Sequence, residues 1–194
     1  MMIEETILGI RVSLATDESC FSPKSVDQGT KAMLSRCPIS SGQKVLDLGC
    51  GYGVVGIVCA HFTGQENVTM SDVDRNAVSL AALNAQRNNV PGVKVIQSDG
   101  FREIEETGFD LILCNPPYHA DFAVPKHFIE KGFNRLKIGG KMFMVTKRLT
   151  WYKRKLTGIF GGVILYREGD YTVFESEKTG SQYATRSGAG NAKT

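Results

Sequence analysis

The stretch Lys44-Val45-Leu46-Asp47-Leu48-Gly49-Cys50-Gly51-Tyr52-Gly53 decides the fold. A short apolar run breaks into spaced glycines, and residues 54–61 behind them carry a helical apolar pattern. A strand, a glycine turn and a helix in that order open a βα unit. The glycines let the backbone turn sharply and approach a ligand closely. The helix then directs its free N–H groups at whatever sits there, and a carboxylate is a suitable guest.

Strands and helices keep alternating beyond this unit. Residues 67–71 read as a second strand. A helix over about 74–88 follows, capped by Asp72 or Asp74 and ended by Pro91-Gly92. Residues 93–97 and 110–114 are a third and a fourth strand. A helix fits about 124–136, Gly139-Gly140 turns the chain into a strand at 142–145, and another helix covers about 151–159. Residues 162–166 and 171–174 form a final pair around a tight Glu168-Gly169-Asp170 turn. Upstream lie one or two strands within 7–14, a loop, and a helix over about 27–37. The alternation predicts a mostly parallel sheet covered on both faces, with an antiparallel hairpin at its edge. Residues 177–194 are polar, rich in Gly, Ser and Thr, and lack periodicity, so a flexible tail is expected there.

The 194 residues suit one domain, with 1–40 as an N-terminal strand and helix extension. A hydrophobic content of 42% is enough for a real core, and a net charge of +3 selects no partner by itself. Its distribution says more. Between 126 and 155, Lys126, Lys131, Arg135, Lys137, Lys141, Lys147, Arg148, Lys153, Arg154 and Lys155 stand against one acid, Glu130. The excess suits a polyanionic substrate and equally a solvated helical face. The cysteines, Cys20, Cys37, Cys50, Cys59 and Cys114, are odd in number and show no CxxC spacing, which argues against a disulfide framework or a zinc site. Cys50, Cys59 and Cys114 adjoin apolar runs and read as small core residues. Glu4 and Glu5 interrupt any signal-peptide pattern, and no apolar run approaches the ~20 residues needed to cross a bilayer. A soluble, cytoplasmic protein without a metal site is expected.

Three acids lie at strand ends. Asp72, at the end of the second strand, is placed to accept ribose hydroxyls, as acids there do in doubly wound sheets. Asp99, after the third, is either an acceptor for an adenine amine or a helix cap. Asp47 lies just before the turn and suits a positively charged amino acid moiety. Together they fit a nucleoside bound across the strand ends. A rival cofactor, NAD, is suggested by Gly51-Tyr52-Gly53-Val54-Val55-Gly56, which matches GxGxxG. That match sits late, because the turn has begun at Gly49, and Asp47 is ill placed beside a pyrophosphate.

The fourth strand runs into Asn115-Pro116-Pro117-Tyr118 on the same rim. The prolines fix two φ angles and remove two N–H donors. An exocyclic amine is a poor nucleophile because its lone pair is delocalised. If the Asn115 side-chain oxygen and the Pro116 carbonyl each accept one of its hydrogens, the nitrogen is held towards tetrahedral geometry. Its lone pair then points at a sulfonium methyl. Tyr118 can stack on the planar acceptor. His119 is either a substrate contact or a surface histidine.

These residues resemble the class I S-adenosylmethionine-dependent methyltransferases. More closely, they resemble the small-domain family of ribosomal RNA guanine-N2 methyltransferases. Leu46 to Gly53 is similar to that family's first motif, Ser71-Asp72-Val73-Asp74 to its ribose loop, Ser98-Asp99-Gly100 to its adenine-side loop, and Asn115 to Tyr118 to its catalytic motif. Phe21-Ser22 with Asp27-Gln28-Gly29-Thr30 resembles a stretch that lies over the cofactor, and Val145-Thr146-Lys147-Arg148 and Tyr152 resemble a later strand and helix. The resemblance covers roughly 7–176 and is nearest the single-domain members. It implies a doubly wound, Rossmann-like α/β fold: a seven-stranded, mostly parallel sheet with one antiparallel C-terminal strand and helices on both faces. It implies S-adenosylmethionine as cofactor, held by Asp47, Gly49, Gly51, Asp72, Asp99, Gly100, Asn115 and Thr30. Asn115, Pro116 and Tyr118 would be catalytic, and RNA the partner. An N6-adenine or protein glutamine methyltransferase, or a non-catalytic cofactor- or RNA-binding module, are the alternatives; the oligomeric state stays open.

Overall fold

The computed structural model describes residues 1–116 and 121–184. In chain order the elements are β1 (Met2–Ile7), β2 (Ile10–Ala15), α1 (Gln28–Arg36), β3 (Val45–Leu48), α2 (Val54–Thr63), β4 (Val68–Asp72), α3 (Arg75–Arg87), β5 (Lys94–Gln97), β6 (Phe109–Cys114), α4 (Ala123–Arg135), β7 (Leu136–Thr146), α5 (Leu149–Phe160), β8 (Ile164–Glu168) and β9 (Tyr171–Glu177). Seven strands form one sheet in the order β5-β4-β3-β6-β7-β9-β8. β9 runs antiparallel to both of its neighbours, and the strands from β5 to β7 pair in parallel. This is the expected doubly wound Rossmann-like sheet. Its winding reverses between β3 and β6, so a crevice opens there at the carboxyl ends of the strands.

Alternate residues of the central strands face opposite layers. Val45, Leu111, Leu113, Phe143, Val145 and Val173 pack with α1, α2 and α3. Leu46, Leu48, Ile112, Cys114, Met142, Met144 and Phe174 pack with α4 and α5. Helices therefore cover both faces, and Cys50, Cys59 and Cys114 are buried as expected.

β1 and β2 form a separate antiparallel hairpin that contributes Ile3, Val12 and Leu14 to the first of these cores. Asn84 on α3 and Asn88 at its C-terminal cap clip it in place. Asn84 accepts from Ala15 N at 2.7 Å and donates to Ala15 O at 2.9 Å and to Tyr52 O at 2.8 Å. Asn88 makes the same pair of bonds to Ser13. The Asn84 side chain is fully buried. Asn84→Ala strands the Ala15 and Tyr52 backbone groups and should destabilise the fold by about 2–4 kcal/mol. Thermal denaturation should show a Tm lower by roughly 5–12 °C; an unchanged Tm would show the clip to be dispensable.

Two expectations need correction. Gly139-Gly140 does not turn the chain into a strand. It lies inside β7, where the register against β6 shifts between Phe109 and Leu111. Gly139 has a φ of 81°, and a Cβ on Gly140 would lie 2.7 Å from the Phe109 carbonyl oxygen, so the pair marks an irregularity in a longer strand. Nor does a flexible tail begin at 177. The Lys178 ammonium donates to Leu136 O, and Lys178 N and O bond to Gly140 and Gly139. Tyr183 donates to Glu130 O and packs edge-on against Phe133. The chain is docked as far as Ala184, and the rest of the expected tail lies outside the described residues.

Candidate active site

The turn after β3 is built from left-handed glycines: Gly49 (φ 74°), Gly51 (54°) and Gly53 (95°). Side chains rarely adopt that conformation. Gly49 N and Cys50 N both donate to Ser71 O, which ties the turn to β4. Gly51 N donates to Asp72 Oδ2 at 2.9 Å, and Asp74 N to Asp72 Oδ1 at 3.0 Å. Asp74, not Asp72, caps α3, through Asn76 N. Each Asp72 oxygen keeps a further lone pair for a ligand.

These groups line a cavity of about 350 Å³ at the winding reversal. All of the residues expected to hold the cofactor line it: Asp47, Gly49, Gly51, Asp72, Asp99, Gly100, Asn115 and Thr30, with Pro116 beside them. A Cβ built on Gly51 meets no atom within 4 Å, so the space a side chain would take is left open. Tyr118 and His119 lie outside the described residues.

Asp47 is 3% exposed and accepts one hydrogen bond, from Gly56 N at 2.8 Å. Burial pushes its carboxyl up to about 7. The Gly56 hydrogen bond opposes the shift, and the charge of Asp72 adds to it. A buried acid in this state favours a cationic guest. That fits the amino acid and sulfonium end of S-adenosylmethionine better than a pyrophosphate.

Asn115 leaves β6 with its amide already oriented. Its Nδ2 donates to Asp27 Oδ2 and to Thr30 Oγ1, both at 3.0 Å. A carboxylate can only accept, so the amide nitrogen must be the atom that faces Asp27. Oδ1 is then turned away from this anchor, buried and without a hydrogen-bond partner among the described residues. Asp27 also caps α1 through Thr30 N at 2.9 Å and accepts from the Tyr171 hydroxyl at 2.8 Å. The Tyr171 ring packs where Gly29 has no side chain; a Cβ there would lie 2.6 Å from it. Motif reading placed Asp27 in a notable stretch without giving it a task, and it missed Tyr171 altogether. Thr30 faces the cavity, but its hydroxyl already accepts from Asn115.

The basic stretch is partly consumed within the fold. Lys137 pairs with Asp110, Lys141 with Glu175, Lys147 with Asp170 and Lys155 with Glu130. Arg135 donates to the carbonyls of Glu105 and Glu106. Among the described residues no cluster of His, Cys, Asp or Glu could hold a metal ion, and no helix is long and apolar enough to cross a membrane.

The family profile of the methyltransferase small domain matches residues 11–175. The chain belongs to the methyltransferase small-domain family. This small domain is 32% identical over 178 residues to the ribosomal RNA large subunit methyltransferase G of Photobacterium profundum, covering 88% of this chain and 47% of that one. It is 31% identical over 170 residues to the ribosomal RNA small subunit methyltransferase C of Hahella chejuensis, covering 85% and 49%. The chain thus spans about half the length of these curated relatives. Among solved structures, the T. thermophilus 16S rRNA N2 G1207 methyltransferase in complex with AdoMet and guanosine superposes with a TM-score of 0.83. The identity is 27%, over 92% of this chain and 50% of that one.

Proposed function

We propose that this chain transfers a methyl group from S-adenosylmethionine to the exocyclic N2 amine of a guanine in ribosomal RNA, in the cytoplasm, with residues 1–176 as one catalytic domain. The observation that carries the reading is the Asn115 amide. Its nitrogen is committed to Asp27 and Thr30, which leaves its oxygen as a fixed acceptor without a partner among the described residues. When bound, S-adenosylmethionine supplies a methyl group on a sulfonium, an activated leaving group, so no strong base is needed. The work of the chain is alignment. Asn115 Oδ1 accepts one amine hydrogen and the Pro116 carbonyl the other. The proton leaves after transfer, and Tyr118 is assigned the stacking role.

On the cofactor side, Asp47 faces positive charge and Asp72 offers lone pairs to the ribose hydroxyls. Asp99 and Gly100 flank the adenine, and Gly49 and Gly51 leave the backbone open to close approach. Thr30 acts through Asn115. Similarity to relatives named for ribosomal RNA methylation, and to a structure containing AdoMet and guanosine, supports the choice of donor and acceptor.

The test offers ribosomal RNA, ribosomal subunits, DNA and a release factor side by side with S-adenosylmethionine labelled in its methyl group. Label should appear in RNA, and nucleoside mass spectrometry should find N2-methylguanosine. Label in protein or DNA alone would sink the RNA reading in favour of a glutamine or adenine acceptor. Absence of S-adenosylmethionine binding by calorimetry would point to a non-catalytic module.

A further inference from the structure

A second cavity, of about 520 Å³, adjoins the first and shares Asp99, Val124 and Phe128 with it. Its wall is aromatic. Phe101 and Phe128 are buried, and the exposed His127 ring lies 6.2 Å from one and 6.4 Å from the other, between centroids. Arg102, Lys131 and Arg135 make its rim cationic. His127, Lys131 and Arg135 follow at intervals of four on α4, which puts them in one row. Arg102 meets that row from the loop after β5. Arg135 is fixed by the Glu105 and Glu106 carbonyls, at 2.7 and 3.3 Å. Lys131 and Arg102 are exposed, and their side chains make no ion pair or hydrogen bond among the described residues. Asp99, at the shared border, is the one acid in this lining among the described residues.

Unpaired cations beside aromatic faces match one ligand chemistry: a phosphate for the cations and a flat base for the rings. We propose that this cleft binds a nucleotide of the RNA strand that flanks the target base, with Arg102 and Lys131 on its phosphodiester. The inference rests on the RNA reading above. Continuity with the cofactor cavity, through Asp99, Val124 and Phe128, favours a strand over a free mononucleotide, because a strand with one base at Asn115 can extend along that border into the cleft. Within the basic stretch, Lys137, Lys141, Lys147 and Lys155 then pair with acids of the fold, while Lys131 meets RNA together with Arg102 from outside the stretch.

The experiment compares the wild type with a double variant, Arg102→Ala with Lys131→Ala. Neither residue belongs to the proposed catalytic or cofactor set. Anisotropy of a fluorescent single-stranded RNA gives affinity across a salt series, and calorimetry gives the S-adenosylmethionine affinity. The double variant should bind RNA roughly tenfold more weakly at about 0.1 M salt. Its slope of log affinity against log salt should be shallower by about 1.4, or about 0.7 per lost contact on a single strand. Its S-adenosylmethionine affinity, and its kcat at saturating RNA, should match the wild type. A control with the same charge loss far from the cleft, Arg11→Ala with Arg87→Ala, should keep the wild-type slope. An unchanged slope in the cleft variant, or an equal drop in the control, overturns the proposal alone. Guanosine monophosphate binding that the cleft variant loses, with the RNA slope intact, overturns it in favour of a free nucleotide. A wild type that binds no RNA overturns the functional reading as well.

Discussion

Asn115→Ala should lower methyl transfer to RNA by at least about 100-fold, the loss expected when a fixed polar group aimed at the reacting centre is removed. Affinity for S-adenosylmethionine should stay within about fivefold. The split follows from the geometry. Asp47, Asp72 and the glycine turn lie on β3 and β4, and none of their hydrogen bonds involves Asn115. Asp27 keeps Thr30 N and Tyr171 as donors when the amide is gone, so α1 stays capped and the fold should lose only about 1–2 kcal/mol. Asn115→Asp sharpens the test, because it keeps the shape and places a carboxyl group against the Asp27 carboxylate. Like charges at about 3 Å cannot both stay ionised. A proton shared with Asp27 leaves one oxygen of the new carboxyl group free to accept, so this variant should retain more turnover than the alanine one, and the more so as pH falls. Near-normal turnover in Asn115→Ala would falsify the assigned role.

Tyr171→Phe separates anchoring from catalysis. It deletes the hydroxyl bond to Asp27 while Asn115 keeps both of its acceptors. Turnover should fall modestly, by about threefold to tenfold, through a looser Asn115. The Tm should drop by roughly 2–4 °C, for about 1 kcal/mol. A loss as deep as that of Asn115→Ala would move Tyr171 into direct contact with substrate.

What could be read from the sequence, and what could not, divides by distance along the chain. Strand β3, its glycine turn and α2 are contiguous, so local periodicity and the left-handed demand of Gly49, Gly51 and Gly53 expose them directly. Asn115 shows itself because a motif ends a strand. The Asp27 to Tyr171 hydrogen bond joins residues 144 apart, and no local pattern marks either partner for the other. Asn84 and Asn88 look like the polar side of an amphipathic helix until the hairpin is seen against them. Gly139-Gly140 suits a turn as well as an irregular strand, and only the Phe109 carbonyl decides between them. Lys178 misleads in another way. Its charge predicts solvent, yet the residue is buried, and its ammonium lies over the Phe133 ring and donates to the Leu136 carbonyl.

Asp47→Asn should make the free protein more stable and the enzyme worse. The folded chain holds this carboxyl at about 7, against an ordinary value of 3.8, so folding takes up a proton between those pH values. Stability from this group is therefore greatest below about pH 4, declines as pH rises through the window, and is lowest above 7. The difference between those two values corresponds to up to about 4 kcal/mol. Asparagine removes the charge and can still accept from Gly56 N, so the variant should gain most of that difference at pH 8. The Tm should rise by roughly 5–15 °C at pH 8, and the gain should fade towards pH 4. Binding should move the other way. In the proposed role the ionised carboxylate attracts the cationic end of the cofactor, so the variant should bind S-adenosylmethionine at least about tenfold more weakly at pH 8. The ratio of wild-type to variant affinity should shrink as pH falls through 7 and Asp47 becomes neutral. An affinity ratio independent of pH would show that Asp47 does not meet the cofactor's charge. Equal Tm values at pH 8 would show that its burial is not what strains the free protein. If both effects appear, the acid is a place where the fold gives up stability so that a cation can be recognised.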